Sequence, residues 1–302
     1  VNGKRSNPLL RNQNFVGYCL IAPWLIGFII LYLIPMVSSL YFSFTNYNML
    51  NIPKFIGLQN FIEIFTKDKT FWPSLGVTLF YVFVSVPLRL LAALLVAMLL
   101  NSKRKFLGIY RAVFYIPSLL GGSVAVSIVW KEIFGDKGVI MALLAVVGIN
   151  QKVSLIGNPS TAIWTIIILG VWQFGSSMLI FLAALKQIPR YMYEASTIDG
   201  ANSFQNFFKI TLPMLTPIIF FNLILQVINS FKAFTESDII TQGGPMNATL
   251  LYVLNLYRRA FTYFQMGYSC ALAWILVIII GAFTVVLFKT QTSWVYYQND
   301  KR

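Results

Sequence analysis

The residues of this chain that could do chemistry are equipped for docking and hydrogen bonding rather than for making or breaking bonds. It has no histidine, which removes the commonest acid–base group and metal ligand near neutral pH. The nearest clusters of loop acids, KEIFGDKG (131–138) and TESD (235–238), lack the spacing of a metal site. Cys19 and Cys270 both lie inside apolar runs and read as small buried hydrophobes. No G-x-x-x-x-G-K-[ST] loop is present, since the glycine-rich GGPMNAT (243–249) lacks the lysine that such a phosphate cradle needs. What remains is a polar segment, EASTIDGANSFQNFFKITLP (194–213), set between two apolar stretches. It combines Glu194 and Asp199 with Tyr191, Tyr193, Phe204, Phe207 and Phe208. Apolar anchors with a charged rim suit docking into a groove on another protein. They equally suit an amphipathic helix lying on lipid. Gly200 is placed to end one short helix and turn the chain into a second. Pro213 is placed to open the helix that follows, where its missing N–H costs little. One cation stands apart: Arg89 lies well inside an apolar run, where a charge ordinarily faces a cavity or a partner.

The elements that must position these residues are membrane helices. The chain has 302 residues, is 58% hydrophobic and only 11% charged, against roughly 25% charged in an ordinary soluble domain. Six apolar runs stand out, at about 15–43, 74–100, 107–130, 161–185, 211–234 and 266–288. Each is long enough to cross a hydrocarbon core, which takes about 20 residues at 1.5 Å per residue. Short alternating segments are absent, which argues against a membrane barrel. VIMALLAVVGI (139–149) is too short to span and reads as an interfacial or re-entrant helix. Pro23, Pro35, Pro87, Pro117 and Pro217 fall inside the spans, and each is expected to kink its helix. The expected fold class is therefore an all-α integral membrane protein of six kinked transmembrane helices. The opening GKRSNPLLRNQN resembles the start of a signal peptide, but the run after it is too long and lacks an A-x-A site, so it reads as a retained first span.

The net charge of +14 does not imply a nucleic-acid partner. The basic residues cluster at the ends of apolar runs, and no nucleic-acid-binding motif is present. Thirteen of the 23 Lys and Arg residues fall in the termini, in 101–111, which holds Lys103 and Arg104, and in 186–210; nine fall in the alternate loops, and Arg89 lies in a span. Cationic loops stay inside, so both termini and the polar loop are expected to be cytoplasmic. The expected organisation is a cytoplasmic N-terminal segment (1–14), a six-span domain (15–290) with its cytoplasmic loop at 186–213, and a cytoplasmic tail (291–302).

Glu194-Ala195-Ser196, three residues, Gly200, nine residues, then Ile210-Thr211-Leu212-Pro213 resembles the EAA loop of permease subunits in binding-protein-dependent ABC importers. The one departure is Ser196 where the pattern has alanine. Segments 22–48, 55–61, 110–134, 241–249 and 266–276 look like the corresponding parts of carbohydrate permeases of the maltose/glycerol-phosphate type. Oligosaccharide importers, and those for acidic polysaccharide fragments such as alginate, are the nearest likeness. The resemblance implies the type I ABC importer permease fold, a second related permease subunit, two ABC ATPase subunits, and an extracytoplasmic binding protein that delivers the carbohydrate to the membrane. No cofactor is expected on this chain; ATP and Mg would be held by the partner ATPase, and the chain would not itself be an enzyme.

The implied coupling contact comprises Glu194, Ala195, Ser196, Asp199 and Gly200, with Ile210, Leu212 and Pro213 leading back into the membrane. Carbohydrates need hydrogen-bonding side chains and aromatic faces. The spans flanking the loop supply Trp172, Gln173 and Ser176 on one side and Asn222, Gln226, Asn229 and Ser230 on the other. These residues read either as a substrate path or as polar glue between helices. Arg89 could attract an acidic sugar or pair with the second permease. The rival reading is an ion-coupled secondary sugar transporter, against which stands the lack of Asp or Glu in the six runs.

Overall fold

The computed structural model describes residues 13–102, 105–149 and 153–296. The expected N-terminal segment up to residue 12, the tail from 297, and Lys103 and Arg104 lie outside the described residues. Among those described the chain is helical almost throughout, and extended pairing is confined to one bridge between Thr45 and Phe55. Four helices are long and apolar enough to cross a membrane: Gly17–Ser43, Phe71–Leu100, Ser203–Phe231 and Met266–Trp294. Among the described residues the number reaches six if each of two bent pairs is one span, Leu107–Leu120 with Val124–Val146 and Ala162–Trp172 with Gly175–Gln187.

The third expected span (107–130) is not one rod. It turns by 98° after Leu120, because Gly122 takes φ +74° and Ser123 starts a new helix by accepting the Val126 N–H at 3.2 Å. The fourth bends by 40° between Trp172 and Gly175. Both large bends fall away from the prolines. Pro87, Pro117 and Pro217 lie within helices that continue past them, so the expected kinks are not where the helices break.

Two other prolines follow a wide π turn. The Ile34 N–H reaches back to the Ile29 carbonyl just before Pro35, and the Leu212 N–H to the Phe207 carbonyl just before Pro213. A proline ring clashes with the carbonyl four residues back, and widening the preceding turn makes room for it. This corrects the expected start of the fifth span at 211. The helix begins at Ser203 and runs unbroken as a rod through Pro213 to Phe231.

The chain divides into two compact units, Val1–Lys67 with Arg258–Ile275, and Asp68–Tyr257 with Leu276–Arg302. In the first, Asn60 Nδ2 donates to the carbonyls of Ser43 (2.8 Å) and Thr45 (2.9 Å), closing the loop after the first span. The first span buries none of its most apolar stretch within the chain. Trp24, Phe28 and Tyr32 stack along it at successive turns.

The second unit is built around Phe71–Leu100. Its core includes Tyr81, Ile163, Ile166, Ile167 and Leu251. Along one line of the helix lie Ser74, Thr78, Tyr81, Ser85 and Arg89, at spacings of four, three, four and four. That spacing puts all five on one face. Ser74, Thr78, Tyr81 and Ser85 are buried. Thr78 Oγ1 accepts the Tyr252 N–H at 2.8 Å, and Asn255 Nδ2 donates to Ser74 Oγ at 3.3 Å.

Candidate functional site

At the inner end of this polar line the Arg89 guanidinium is held within its own chain. Its Nε donates to the Gly170 carbonyl at 2.5 Å and its Nη1 to Gln226 Oε1 at 2.7 Å. Gln226 Nε2 passes the chain on to Ser177 Oγ at 2.9 Å. Gly170 is what lets the groups converge. A Cβ there would lie 2.9 Å from Tyr81 Oη and 3.0 Å from both Arg89 Nη2 and Ser85 Oγ. Arg89 therefore links the second, fourth and fifth spans through two hydrogen bonds within its own chain.

Beside this network is a cavity of about 410 Å³, within the size range of small-molecule sites. Arg89, Gln173, Ser176, Gln226, Asn229 and Ser230 all line it, as do Tyr81, Ser118 and Glu236. Six of the eight expected path residues thus converge. Trp172 and Asn222 do not: the Trp172 ring lies 5.7 Å from that of Trp130, and Asn222 Nδ2 bonds the carbonyl of Ile218 one turn back in its own helix. The bend in the fourth span is itself part of the wall. Ser118 Oγ donates to the Gln173 carbonyl at 2.9 Å and accepts the Ser176 N–H at 3.1 Å. It satisfies backbone groups that the broken helix leaves open, as membrane-buried backbone requires. Gln173 Nε2 and Ser230 Oγ are buried and make no hydrogen bond within the chain. Such atoms carry a desolvation cost of about 1–3 kcal/mol unless something else binds them.

Glu236, Ser118 and Gly170 were not singled out from the sequence. Glu236 follows the end of the fifth span and reads there as a loop acid; the chain turns it back to the cavity. The line of polar residues leading to Arg89 did have a sequence signal, its helical spacing inside an apolar run.

The polar loop forms a compact hairpin. Pro189 precedes a helix over Arg190–Ile198. The Gly200 N–H bonds the Thr197 carbonyl (3.1 Å) and the Ala201 N–H bonds the Ser196 carbonyl (2.9 Å), with Gly200 at φ +78°. This is the Schellman ending that glycine favours. Asn202 and Gln205 then cap the next helix reciprocally, at 2.9 and 2.8 Å. Tyr193 Oη and Thr211 Oγ1, 2.8 Å apart, tie the two arms together. Ser196 turns its hydroxyl onto the Tyr193 carbonyl at 2.9 Å. Glu194, Ala195, Asp199 and Gly200 are exposed, whereas Ile210, Leu212 and Pro213 are half-buried where the second arm joins the fifth span. The largest exposed anchor is one the sequence reading passed over: Ile198 is 88% exposed.

The family described as "Binding-protein-dependent transport system inner membrane component" matches residues 69–302. The probable ABC transporter permease protein YesP of Bacillus subtilis (strain 168) is 55% identical over 97% of this chain and 95% of its own length. The probable starch degradation products transport system permease protein AmyD of Thermoanaerobacterium thermosulfurigenes is 34% identical over 91% and 93% respectively. Among solved structures, a chain of a bacterial ABC transporter involved in the import of the acidic polysaccharide alginate superposes with a TM-score of 0.80 at 19% identity. That match covers 95% of this chain and 99% of the other, and at this identity it speaks for the fold.

Proposed function

This chain belongs to the family of inner membrane components of binding-protein-dependent transport systems, and from that premise we propose that it is the permease subunit of an ATP-driven importer whose substrate is an oligosaccharide brought by an extracytoplasmic binding protein. Its relatives are permease proteins, translocation components of importers in which a separate subunit hydrolyses ATP. That membership displaces the ion-coupled secondary transporter. The fold is the type I permease fold shared with the alginate transporter chain.

The observation that carries the proposal is continuity. The exposed hairpin is the direct extension of two helices that wall the polar cavity. One, Gly175–Gln187, starts at Ser176 and the bend, and leads through Pro189 into the first arm. The other runs from the second arm at Ser203 to Phe231 and carries Gln226, Asn229 and Ser230. At 1.5 Å per residue, about 27 Å separates Phe208 from Gln226 along that helix. A push on the hairpin therefore moves both walls. Glu194, Ala195, Ser196, Asp199 and Gly200 meet the ATPase; Ile210, Leu212 and Pro213 transmit its closure into the span; the cavity alternates between the two faces of the membrane. Both termini and the hairpin lie in the cytoplasm, a second permease completes the translocation path, and two ATPase subunits hold ATP and Mg.

The cavity favours a neutral oligosaccharide over an acidic one. The Arg89 guanidinium donates to Gly170 and Gln226, and Glu236 sets an opposite charge in the same wall, which offsets its pull on an anion. The unpaired Gln173 and Ser230 groups are of the kind that hydroxyls satisfy. ATP-dependent uptake into liposomes by the complete importer, with its binding protein and a panel of neutral and acidic oligosaccharides, tests this. Neutral chains should be taken up and uronic-acid chains refused; the reverse preference overturns the substrate assignment. Glu194→Lys should leave insertion intact and greatly reduce sugar-stimulated ATPase activity, and unchanged stimulation would sink the coupling assignment. Co-purification of a Walker-motif ATPase and a second permease is expected.

A further inference from the structure

A second and larger cavity, about 750 Å³, lies where Phe71–Leu100 ends and the hairpin begins. Three cations line it, Arg111, Lys186 and Arg190, with one acid, Glu194. Arg111 comes from the start of the third span, Lys186 from the end of the fourth, and Arg190 from the first turn of the hairpin. Arg111 makes a single long hydrogen bond, Nη2 to the Leu100 carbonyl at 3.4 Å. Its Nε is buried with no hydrogen-bond partner among the described residues, and so is the Ser102 hydroxyl on the same wall.

We propose that this cavity is an anion site for a phosphate group, and that its occupancy sets the position of the coupling hairpin. A phosphate group matches the residues present. Its oxygens accept from a guanidinium in pairs and from an ammonium singly, and one of them satisfies the Ser102 hydroxyl. The surplus of positive charge remains after Glu194 is counted. A carbohydrate would leave that surplus uncompensated, and an apolar ligand would strand the buried Arg111 Nε. Two sources share this chemistry, the headgroup of an anionic phospholipid and free phosphate. The cavity sits at the ends of membrane helices, where basic pockets meet headgroups. Arg190, Tyr193 and Glu194 belong to both the cavity wall and the hairpin, so an anion held here biases the element proposed to meet the ATPase. Only that last consequence rests on the proposed function; binding itself does not.

The test uses the purified importer complex in a neutral maltoside detergent. It is titrated with dioctanoyl phosphatidylglycerol, dioctanoyl phosphatidylcholine and inorganic phosphate, with binding followed by native mass spectrometry. Phosphatidylglycerol should bind, phosphatidylcholine weakly, and Arg111→Gln or Lys186→Gln should weaken binding about tenfold, while Lys54→Gln leaves it unchanged. Should Arg111→Gln fail to insert, Lys186→Gln decides. Phosphate binding with the same variant dependence, without phosphatidylglycerol binding, assigns the site to a soluble anion. Equal binding of both lipids, or variants within about twofold of the parent, overturns the site. If the anion binds as expected but leaves sugar-stimulated ATPase activity unchanged, the link to the hairpin is overturned and the site stands. Anion binding without any sugar uptake would count against the importer reading alone.

Discussion

The Arg89 cavity and the coupling hairpin are made of the same polar residue types and are built in opposite ways. The hairpin is contiguous: about twenty residues, capped by Gly200 at one helix end and by Asn202 at the next start, with its charges exposed. Its bonds are mostly local, reaching two to five residues, apart from the Tyr193–Thr211 tie. The cavity is assembled from four separate stretches, with Arg89 bonding residues 81 and 137 positions away. The charged groups of the hairpin are exposed and lean on few neighbours, so each is individually cheap to change. In the cavity a lost partner strands another polar group in an apolar surround. The hairpin leaves its polar groups exposed; the cavity pairs several of its own across separate helices.

This contrast is sharpest at Gln226. Gln226→Leu removes the acceptor of a charged donor and should cost about 2–3 kcal/mol, read as a lower unfolding temperature in detergent, with uptake lost. The double variant Arg89→Leu, Gln226→Leu removes both partners and should recover most of that stability without recovering uptake. A double variant no more stable than the single one would show that the pair is not a closed unit. Next in size is Ser118→Ala, which leaves the Gln173 carbonyl and Ser176 N–H unmet at the bend. It should cost about 1–2 kcal/mol and alter apparent sugar affinity more than basal ATPase activity.

The hairpin should respond less, and in a different assay. A Cβ at Gly200 meets nothing within 4 Å, so Gly200→Val pays only for the left-handed backbone, about 1–2 kcal/mol. The cost should appear as faster hydrogen exchange in 190–206 and weaker sugar stimulation of ATP hydrolysis. Gly200→Asn, which tolerates that backbone, should restore most of both. Smallest is Asn202→Ala, a lost helix cap worth about 1 kcal/mol. It should loosen the second arm without changing sugar selectivity. If hairpin variants changed selectivity, or cavity variants changed only coupling, the division between the two regions would fail.

How far each region could be read in advance follows from the same difference. The Gly200 turn and the two short arms are visible in residues 194–213 because caps and turns are local. Gln226, Asn229 and Ser230 are visible as one face because helical spacing is local too. Asn222 fits the same arithmetic at one turn's remove, yet its side chain bonds its own helix; periodicity names a face but not what the face meets. Pro213 misled because a proline marks a helix start only when nothing upstream is helical. Here the Asn202 cap starts the helix first, and a π turn carries it past the ring.

By itself, the sequence determined the membrane-type composition, the apolar runs, the capped polar hairpin and most of the polar residues of the cavity, because hydropathy and capping depend on neighbours a few residues apart. The tertiary structure alone decided that the spans break at Gly121–Gly122 and beside Gly175 rather than at prolines, that Arg89 is spent on Gly170 and Gln226, and that Glu236 joins the cavity. Those outcomes depend on where separate helices bring their polar atoms together. In an apolar surround a polar atom takes whichever partner packing places within reach.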